Sequence, residues 1–416
     1  MDSALKPTGV LHFTAPPVVG GVESVIHAHA GVFLAHSHSY KVIAGRGETE
    51  AMPEGIELAL LPRLDSLHPN VVNVQLELDS GRVSSEFEDL TARLINVLEP
   101  VLQNLGNLIV HNVFTKHFNL ALTAALFRLL DAGAIRNCIA WCHDFSWTSP
   151  NSKKVMHPGY PWDLLRTARP DVKYVAVSAE RQQALAELMQ IPSNRIHVIY
   201  NGVDPIGLLG LSIECQGLVD RLGLLESELI LLMPVRVTKA KNIELALKVV
   251  AALKEKGSKS ILVLTGPPDP HDEGMMTYYH SLLDLRSRLG VEKQMRFVYE
   301  SGPNPEAPFT IDGSTVGELY RLSDLLFMPS HREGFGMPVL EAGLAGIPVF
   351  STPIPATEEI GKNDVVTFEA DGDPDEIADQ ILSWAASSRE YRLRQRVRDR
   401  YTWNAIFQRD ILPLLK

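Results

Sequence analysis

Short apolar stretches alternate with longer amphipathic stretches through the first two hundred residues. Residues 8–16 are predicted as a first strand, and Gly20 and Gly21 separate it from a helix with apolar residues at three- and four-residue spacing. The same pattern predicts strands at 40–45, 71–78, 107–113, 137–144 and 172–179, and helices at 85–105, 118–133 and 179–191. Apolar strands that alternate with helices indicate a parallel sheet covered on both faces.

A second series of the same kind follows a turn signal at Asn201-Gly202 and Pro205. Its predicted strands lie at 228–237, 260–267, 295–300, 324–330 and 347–352, and its helices at 242–257, 278–290, 316–323 and 402–416, with a loop at 301–314. We therefore predict an α/β protein with an N-terminal domain over 1–203, a C-terminal domain over 204–395 and a terminal helix over 396–416.

Composition narrows the class of protein. The chain has 416 residues, of which 45% are hydrophobic, and this is enough for two apolar cores. The formal net charge of -11 argues against nucleic-acid binding and gives no support for binding to an anionic membrane. No signal peptide is visible at the start of the sequence, and no apolar run is long enough to span a membrane, so we expect a cytoplasmic protein.

Cysteine usage agrees with that compartment. Cys138, Cys142 and Cys215 are too few for a disulfide framework and are expected to be buried free thiols in a reducing environment. His143 follows Cys142 directly, but no further ligands stand at short spacing. We therefore expect no metal site.

Residues 331–349, HREGFGMPVLEAGLAGIPV, carry two carboxylates around a turn-prone apolar segment. Pro338 suits a first helical turn and Gly346 a helix end, so the EGFG loop would deliver a helix N-terminus, which favours an anion. We place Glu341 on the first helical turn, close to the same ligand as Glu333. Carboxylates accept paired hydrogen bonds from vicinal sugar hydroxyls. The alternative is that both glutamates are solvated surface acids.

Cations follow an earlier strand of the same domain. Arg236 and Lys241, with Lys239 between them, stand where the strand at 228–237 ends and the next helix begins. A lysine at a helix N-terminus opposes the helix dipole, which favours an anionic partner such as a diphosphate over a purely solvated charge.

These stretches carry a family resemblance that runs through nearly the whole chain. Residues 333–352 resemble the glutamate–seven residues–glutamate signature of family 4 glycosyltransferases (glycosyl transferases group 1), which have the GT-B fold. Arg236 and Lys241 match that family's Arg and Lys at the same spacing. The other matching stretches, in the family's order, are 16–26, 176–188, 198–204 and 319–336.

The resemblance implies two Rossmann-like domains facing each other across a cleft, with the C-terminal helix packing back toward the N-terminal domain. It implies that the C-terminal domain binds a nucleotide-diphosphate sugar and the N-terminal domain most of the acceptor. It also implies retention of the anomeric configuration, with no metal and no cofactor beyond the nucleotide-sugar co-substrate.

The family pattern also implies residue roles. Glu341 would bind the ribose hydroxyls and Glu333 the transferring sugar, while Gly21 would meet the phosphate from the other domain. His143 would lie beside the donor sugar; the alternative is a packed strand-end histidine. The expected catalytic residues are Glu333, His143, Arg236 and Lys241, and the expected donor-binding residues are Gly20, Gly21, Arg236, Lys241, Glu333, Gly334, Phe335, Gly336, Met337 and Glu341.

The substrates are less determined by the sequence. Polar and aromatic residues of the N-terminal half are candidates for an acceptor pocket, with ordinary loop surface as the alternative: His111, Asn112, His117, Asp144 and Trp162. Residues 265–274 and the loop 301–314 depart from the family's pattern near the expected nucleobase. The donor is therefore left open between the UDP-glucose and GDP-mannose types, and the acceptor is expected to be a soluble small molecule or glycan.

We therefore predict a hexosyltransferase that moves a sugar to an acceptor hydroxyl. The alternatives are a sugar-nucleotide epimerase on the same fold and a non-catalytic nucleotide-sugar-binding protein. A nicotinamide-dependent oxidoreductase is disfavoured because residues 16–24, PPVVGGVES, lack the G-x-G-x-x-G spacing.

Overall fold

The computed structural model describes residues 6–269 and 274–416. Residues 270–273, part of the departure from the family's pattern noted above, lie outside the described residues. The chain divides into two compact units: unit 1 comprises Met1–Val203 with Tyr401–Lys416, and unit 2 comprises Asp204–Arg400. The predicted terminal segment 396–416 is thus divided between the two units.

Unit 1 is built on a parallel sheet with the strand order β3-β2-β1-β4-β5-β6-β7 among the described residues. Its strands are β1 Thr8–Leu11, β2 Tyr40–Ala44, β3 Glu57–Leu60, β4 Asn107–His111, β5 Cys138–Cys142, β6 Val172–Ala176 and β7 Ile196–Val198. The order reverses beside β1, where β4 pairs with it in parallel. Ligands of open α/β sheets bind outside the carboxyl ends of the strands at such a reversal.

The helices of unit 1 cover both faces of this sheet. They are α1 Gly21–Ala35, α2 Pro69–Asp79, α3 Ser85–Leu102, α4 Leu120–Asp131 and α5 Ala179–Met189. The predicted helix at 85–105 corresponds to α3, which is amphipathic because Phe87, Leu90, Leu94 and Leu98 are all buried. They join the core cluster that also contains residues of α4.

One predicted strand is wrong. Residues 71–78 lie in helix α2, and Val71, Val74 and Leu78 are its buried residues. Pro69 stands in the first helical turn, where its missing N–H costs nothing, and these buried side chains join the core cluster of α3. Packing therefore overrides the strand-like alternation of the sequence.

The C-terminal segment belongs to unit 1. Residues 403–414 are helical and pack on α1 through aromatic pairs, with the ring centroids of Phe33 and Phe407 4.9 Å apart and those of His29 and Trp403 5.1 Å apart. Asn137 Nδ2 donates to the Leu414 carbonyl at 3.0 Å. The terminal helix therefore completes the α1 side of this core.

Unit 2 repeats the plan with the strand order β10-β9-β8-β11-β12-β13 among the described residues. Its strands are β8 Leu229–Met233, β9 Ser260–Leu264, β10 Met295–Phe297, β11 Leu325–Met328, β12 Val349–Ser351 and β13 Val366–Thr367. Its helices are α6 Pro205–Leu209, α7 Ile213–Leu222, α8 Ile243–Glu255, α9 Met275–Arg288, α10 Gly313–Leu322, α11 Met337–Ala345, α12 Pro355–Gly361, α13 Pro374–Ser387 and α14 Arg389–Arg400.

Both sheets have the 3-2-1-4-5-6 strand order of a Rossmann unit, so the predicted fold class, α/β with two Rossmann-like domains, is confirmed. In unit 2 the order reverses between β8 and β11, whose following loops carry Arg236 and Glu333 respectively. Within the described parts of the chain, none of the helices combines the length and apolar character needed to cross a membrane.

Candidate active site

The loop after β11 leads into helix α11 through a constrained glycine. Gly336 has φ +84° and is the residue before the helix, a backbone conformation that favours glycine. A Cβ at this position would also lie 3.1 Å from Ala356 Cβ. Gly346 ends the helix with φ +73°, as predicted. The sequence therefore fixes where α11 begins and ends, and its N-terminal N–H groups lie at the carboxyl edge of the sheet.

Lys241 and Glu333 form an ion pair in the structure. Lys241 Nζ lies 2.6 Å from Glu333 Oε1, and the two side chains are only 18% and 8% exposed. Ser330 Oγ donates to the same Oε1 at 2.7 Å, and the His331 N–H donates to the Ala240 carbonyl at 2.9 Å. The loop after β11 is therefore fastened to the turn that carries Lys241.

Arg236 lies in the loop after β8 with an exposed side chain. Within residues 6–269 and 274–416 its guanidinium forms no ion pair, in contrast to Lys241. Both cations stand between the end of β8 and the start of α8, as predicted. An exposed guanidinium fork and an ammonium on the same loop are suited to an anionic ligand with several oxygens.

Glu341 lies on α11 one turn later than predicted. The helix begins at Met337, so Glu341 is its fifth residue and belongs to the second turn. Tyr320 OH donates to Glu341 Oε2 at 2.8 Å, which orients the carboxylate. Burial, and then the adjacent carboxylate, raise the pKa of Tyr320 far above its ordinary value. The exposed carboxylate keeps acceptor capacity for a ligand.

The start of α11 presents apolar surface around these polar groups. Phe335 is 62% exposed and Met337 is 52% exposed. A Cβ atom at Gly334 would have no neighbouring atom within 4 Å among the described residues. Large exposed apolar side chains beside convergent polar groups are typical of a ligand site. The expected donor-binding residues of unit 2 are thus gathered at one edge of its sheet.

In unit 1, three histidines stand at the carboxyl ends of adjacent strands. His12 follows β1, His111 ends β4 and His143 follows β5. His12 Nδ1 lies 3.0 Å from the His111 carbonyl oxygen, and His111 Nδ1 lies 3.0 Å from His143 Nε2. His29 of α1 is packed against this group, with its ring centroid 5.7 Å from that of His111.

Burial keeps these imidazoles neutral. Burial, and then repulsion from His12, lowers the pKa of His143 to about 4. Burial, and then His143, lowers the pKa of His29 to about 3. Burial also lowers the pKa of His111, followed by repulsion from its neighbouring histidines, and burial lowers that of His12.

The glycine pair of unit 1 lies at the start of α1. Gly20 is the extended residue before the helix, and a Cβ there would overlap the Glu23 carboxylate, whereas Gly21 faces open space. Glu23 is buried in the first helical turn and accepts a hydrogen bond from Thr14 Oγ1. The space at Gly21 leaves room for a ligand, while Glu23 already occupies the neighbourhood of Gly20.

The five acceptor candidates have different environments. Asn112 adopts φ +61°, and its Oδ1 accepts from the backbone N–H of His143 at 2.8 Å, so it shapes the backbone after β5. His111 is fully buried and Trp162 is only 3% exposed within the core, so neither offers a surface to an acceptor. His117 Nδ1 lies 2.7 Å from Ser146 Oγ, and Asp144 is exposed near Arg181.

Sequence reasoning missed several residues of these sites. His12 and Glu23 join the histidine group of unit 1, and Ser330 and Tyr320 orient the two glutamates of unit 2. His143 was singled out by the family resemblance, and His12 was not among the residues that the resemblance implied. Among the described residues, no three His, Cys, Asp or Glu side chains are grouped as metal ligands would be.

Family models match both units. The model for Glycosyltransferase Family 4 matches residues 19–206, and the model for Glycosyl transferases group 1 matches residues 219–400. This chain belongs to glycosyltransferase family 4. The resemblance in the sequence is thereby confirmed.

Relatives within family 4 are distant. An uncharacterized glycosyltransferase from Methanocaldococcus jannaschii is 29% identical over 56% of this chain and 57% of its own. A mannosylglucosylglycerate synthase from Petrotoga mobilis is 25% identical over 67% of this chain and 66% of its own. A D-inositol 3-phosphate glycosyltransferase from Actinosynnema mirum is 32% identical over 32% of this chain and 30% of its own. The chain thus spans less than two-thirds of the length of these curated relatives.

Solved structures match over nearly the full length at low identity. A glycosyltransferase from Rickettsia africae has a TM-score of 0.37 and 17% identity, with 98% of each chain covered. Anabaena HepE in complex with UDP and glucose has a TM-score of 0.35 and 18% identity, covering 99% of this chain and 97% of its own. Values this low carry no argument about substrates.

Because these buried histidines are neutral, we predict that the free energy of unfolding falls steeply in acid. The pKa of His29 in the folded state, about 3, lies below its unfolded value of about 6.5, so the unfolded state binds the proton more readily. The contribution of neutral His29 to the free energy of unfolding is therefore fully present above pH 6.5 and is lost as the pH is lowered toward 3. In His29→Phe the slope of the free energy of unfolding against pH, below pH 6.5, should be smaller by about 1.4 kcal/mol per pH unit.

Urea unfolding of the full chain at pH 7, 6 and 5 measures this slope, followed by tryptophan fluorescence because Trp141 and Trp403 contact His29. The exposed His27 on the same helix is the control, and His27→Ala should keep the wild-type slope. A wild-type slope in His29→Phe would show that His29 does not supply this acid sensitivity.

Proposed function

We propose that this glycosyltransferase moves a hexose from a nucleotide-diphosphate sugar to an acceptor hydroxyl with retention of configuration and without a metal. The observation that carries the proposal is the arrangement at the carboxyl edge of unit 2. There the Lys241–Glu333 ion pair, the exposed Arg236 and the N-terminal end of α11 lie on the loops that meet at the strand-order reversal.

The chemistry of sugar transfer requires such a set of groups. As the glycosidic bond breaks, negative charge grows on the departing diphosphate. Arg236 and Lys241 are cations that can neutralise it, and the helix N-terminus adds oriented N–H groups. These groups supply the role that a divalent cation has in other transferases, and they support metal-independent turnover.

The Lys241–Glu333 pair also suggests how the donor is engaged. In the ligand-free structure Glu333 Oε1 accepts from both Lys241 and Ser330. Glu333 Oε2 accepts no hydrogen bond among residues 6–269 and 274–416, and we propose that it binds a hydroxyl of the transferring sugar. Lys241 would then extend to the diphosphate while staying close to Glu333, which couples sugar recognition to charge neutralisation.

Glu341 is proposed to bind the ribose of the donor nucleotide. Its Oε2 is oriented by Tyr320 at 2.8 Å, and the exposed carboxylate retains lone pairs for two vicinal hydroxyls. The apolar faces of Phe335 and Met337 lie next to this position in sequence and suit the non-polar faces of a nucleoside. Donors of the UDP-glucose and GDP-mannose types remain the two proposed classes.

The acceptor is proposed to be a soluble small molecule or glycan in the cytoplasm. The net charge of -11 is unsuited to an anionic lipid surface, and the three cysteines are buried free thiols, as a reducing compartment allows.

The overall proposal predicts acceptor-dependent release of a nucleoside diphosphate. Purified protein is incubated with UDP-glucose or GDP-mannose, with and without pooled hydroxyl acceptors, and nucleotide release and product anomer are measured by chromatography and NMR. Turnover should persist in excess EDTA and give a product with the donor's anomeric configuration. An inverted product, or activity lost in EDTA and restored by magnesium, would contradict the mechanism. Epimerised donor without transfer would indicate an epimerase.

Arg236→Ala and Lys241→Ala are each expected to lower kcat by about 10²–10³, with a smaller effect on the donor KM. The reason is that these cations act more strongly on the charge that develops in the transition state than on the bound donor. Arg236→Lys should restore activity only partly, because an ammonium cannot form the planar fork.

Steady-state kinetics measures both constants, with circular dichroism to check folding. Lys248→Ala, on the exposed side of α8, is the matched control and should behave as wild type. Normal kcat in a folded double variant of Arg236 and Lys241 would remove both cations from the mechanism.

Glu341→Ala should weaken binding of the preferred nucleoside diphosphate by about 1.5–3 kcal/mol, the usual range for hydrogen bonds to a charged group. Tyr320→Phe should give a smaller loss, because it removes only the group that orients the carboxylate. Isothermal titration calorimetry measures both, and the exposed Glu359→Ala on α12 serves as control. Unchanged affinity in Glu341→Ala would refute its assignment to the ribose.

A further inference from the structure

The two nitrogens of the His111 imidazole have very different surroundings. Its Nδ1 lies 3.0 Å from His143 Nε2, within hydrogen-bond distance. Its Nε2 is buried and has no hydrogen-bond partner among the described residues. His12 Nδ1 lies 3.0 Å from the His111 carbonyl and holds the backbone of this residue in place. His111 is therefore fixed in position, with a single ring contact through which it can share a proton.

His143 has the complementary arrangement. Its Nε2 faces His111. Its Nδ1 forms no hydrogen bond in the described parts of the chain and is not fully buried. Because the whole side chain is 9% exposed, Nδ1 is the ring nitrogen that solvent and a ligand can reach. The backbone N–H of His143 donates to Asn112 Oδ1 at 2.8 Å, which restrains the backbone from which the side chain extends.

Two neutral proton arrangements satisfy the contact between the rings. In the first, His111 Nδ1–H donates to His143 Nε2, and His143 carries its own proton on Nδ1. In the second, His143 Nε2–H donates to His111 Nδ1, and the His111 proton is forced onto Nε2. The second arrangement leaves a buried N–H without an acceptor, which costs the desolvation free energy of that group and is rarer than an unused acceptor lone pair. The first leaves only an unused lone pair there.

We propose that His111 is a positioning residue that fixes His143 as a neutral imidazole with its proton on Nδ1, aimed at an oxygen of the substrate. The tautomer follows from the contacts within unit 1 alone. The substrate oxygen, a sugar hydroxyl or a phosphate oxygen, rests on the proposed function. His143 then serves as a hydrogen-bond donor and cannot accept a proton at its reachable nitrogen.

The tautomer is measured directly in the wild-type enzyme without substrate. Protein labelled with ¹⁵N-histidine is studied by long-range ¹H–¹⁵N NMR at pH 7, and the His143 signals are assigned by their loss in His143→Gln. We expect the protonated-nitrogen shift at Nδ1 and the unprotonated shift at Nε2 for His143, and a proton on Nδ1 for His111. A proton on Nε2 of His143 would overturn the proposal.

The sign of a pKa change gives a second, independent test. Donation from His111 stabilises only the unprotonated Nε2 of His143, so removing the donor in His111→Phe should raise the pKa of His143 above about 4, while burial and His12 still hold it below its ordinary value. If His143 were instead the donor, removing its acceptor would lower the pKa further. A lower or unchanged His143 pKa in a folded His111→Phe protein would therefore overturn the proposal.

His29→Phe is the matched control, because it also exchanges a buried imidazole of this group for a phenyl ring but removes no hydrogen bond to His143. It should leave the tautomer of His143 unchanged. With substrates, His111→Phe should lower kcat roughly fivefold relative to His29→Phe, the effect of one neutral hydrogen bond. If the two variants had equal kcat and wild-type His143 had the expected tautomer, His111 would fix the tautomer without affecting turnover. That result would overturn the positioning role and leave the proposed function standing.

Discussion

Parallel strands place all their carboxyl ends at one edge of a sheet, and both candidate sites depend on this constraint. In unit 1 it brings His12, His111 and His143 together from three adjacent strands that are far apart in sequence. In unit 2 it brings the loop with Arg236 beside the loop with Glu333. Neither group requires a long-range side-chain network to assemble, because backbone pairing in the sheet core already fixes the spacing of these loops.

The two sheet edges differ in whether their polar side chains are charged. In unit 2 Arg236 is exposed, and Lys241 and Glu333 compensate each other's charge in a mostly buried contact. In unit 1 the polar groups lie deep, and burial keeps the imidazoles uncharged. A mostly buried ion pair keeps each charge compensated only while a partner of opposite charge remains close, whereas buried neutral rings retain one hydrogen-bond direction. The first arrangement suits charge that changes during a reaction, and the second suits fixed orientation.

Much of the fold could be predicted from the sequence because strands buried on both faces are continuous apolar stretches. The exception is α2, where Val72, Val74, Leu76 and Leu78 alternate with polar residues as in a strand. Packing on the core selects the helical set that includes Val71 instead, and Val72 and Leu76 remain exposed. The short β3 was missed although Leu58, Ala59 and Leu60 are apolar: it has only four residues, and none of them is buried.

The candidate site was predictable where a motif lies within one stretch of sequence, as for Glu333 and Gly336. It was not predictable where a side chain acts through a partner in another element. The distance between His111 and His143 depends on the pairing of β4 with β5. The direction of the hydrogen bond depends on the other nitrogen of the His111 ring, Nε2, which is buried without a partner among the described residues. A buried histidine that looks like packing in the sequence can thus determine which atom of its neighbour faces the substrate, and burial that costs stability in acid is the same feature that holds this orientation.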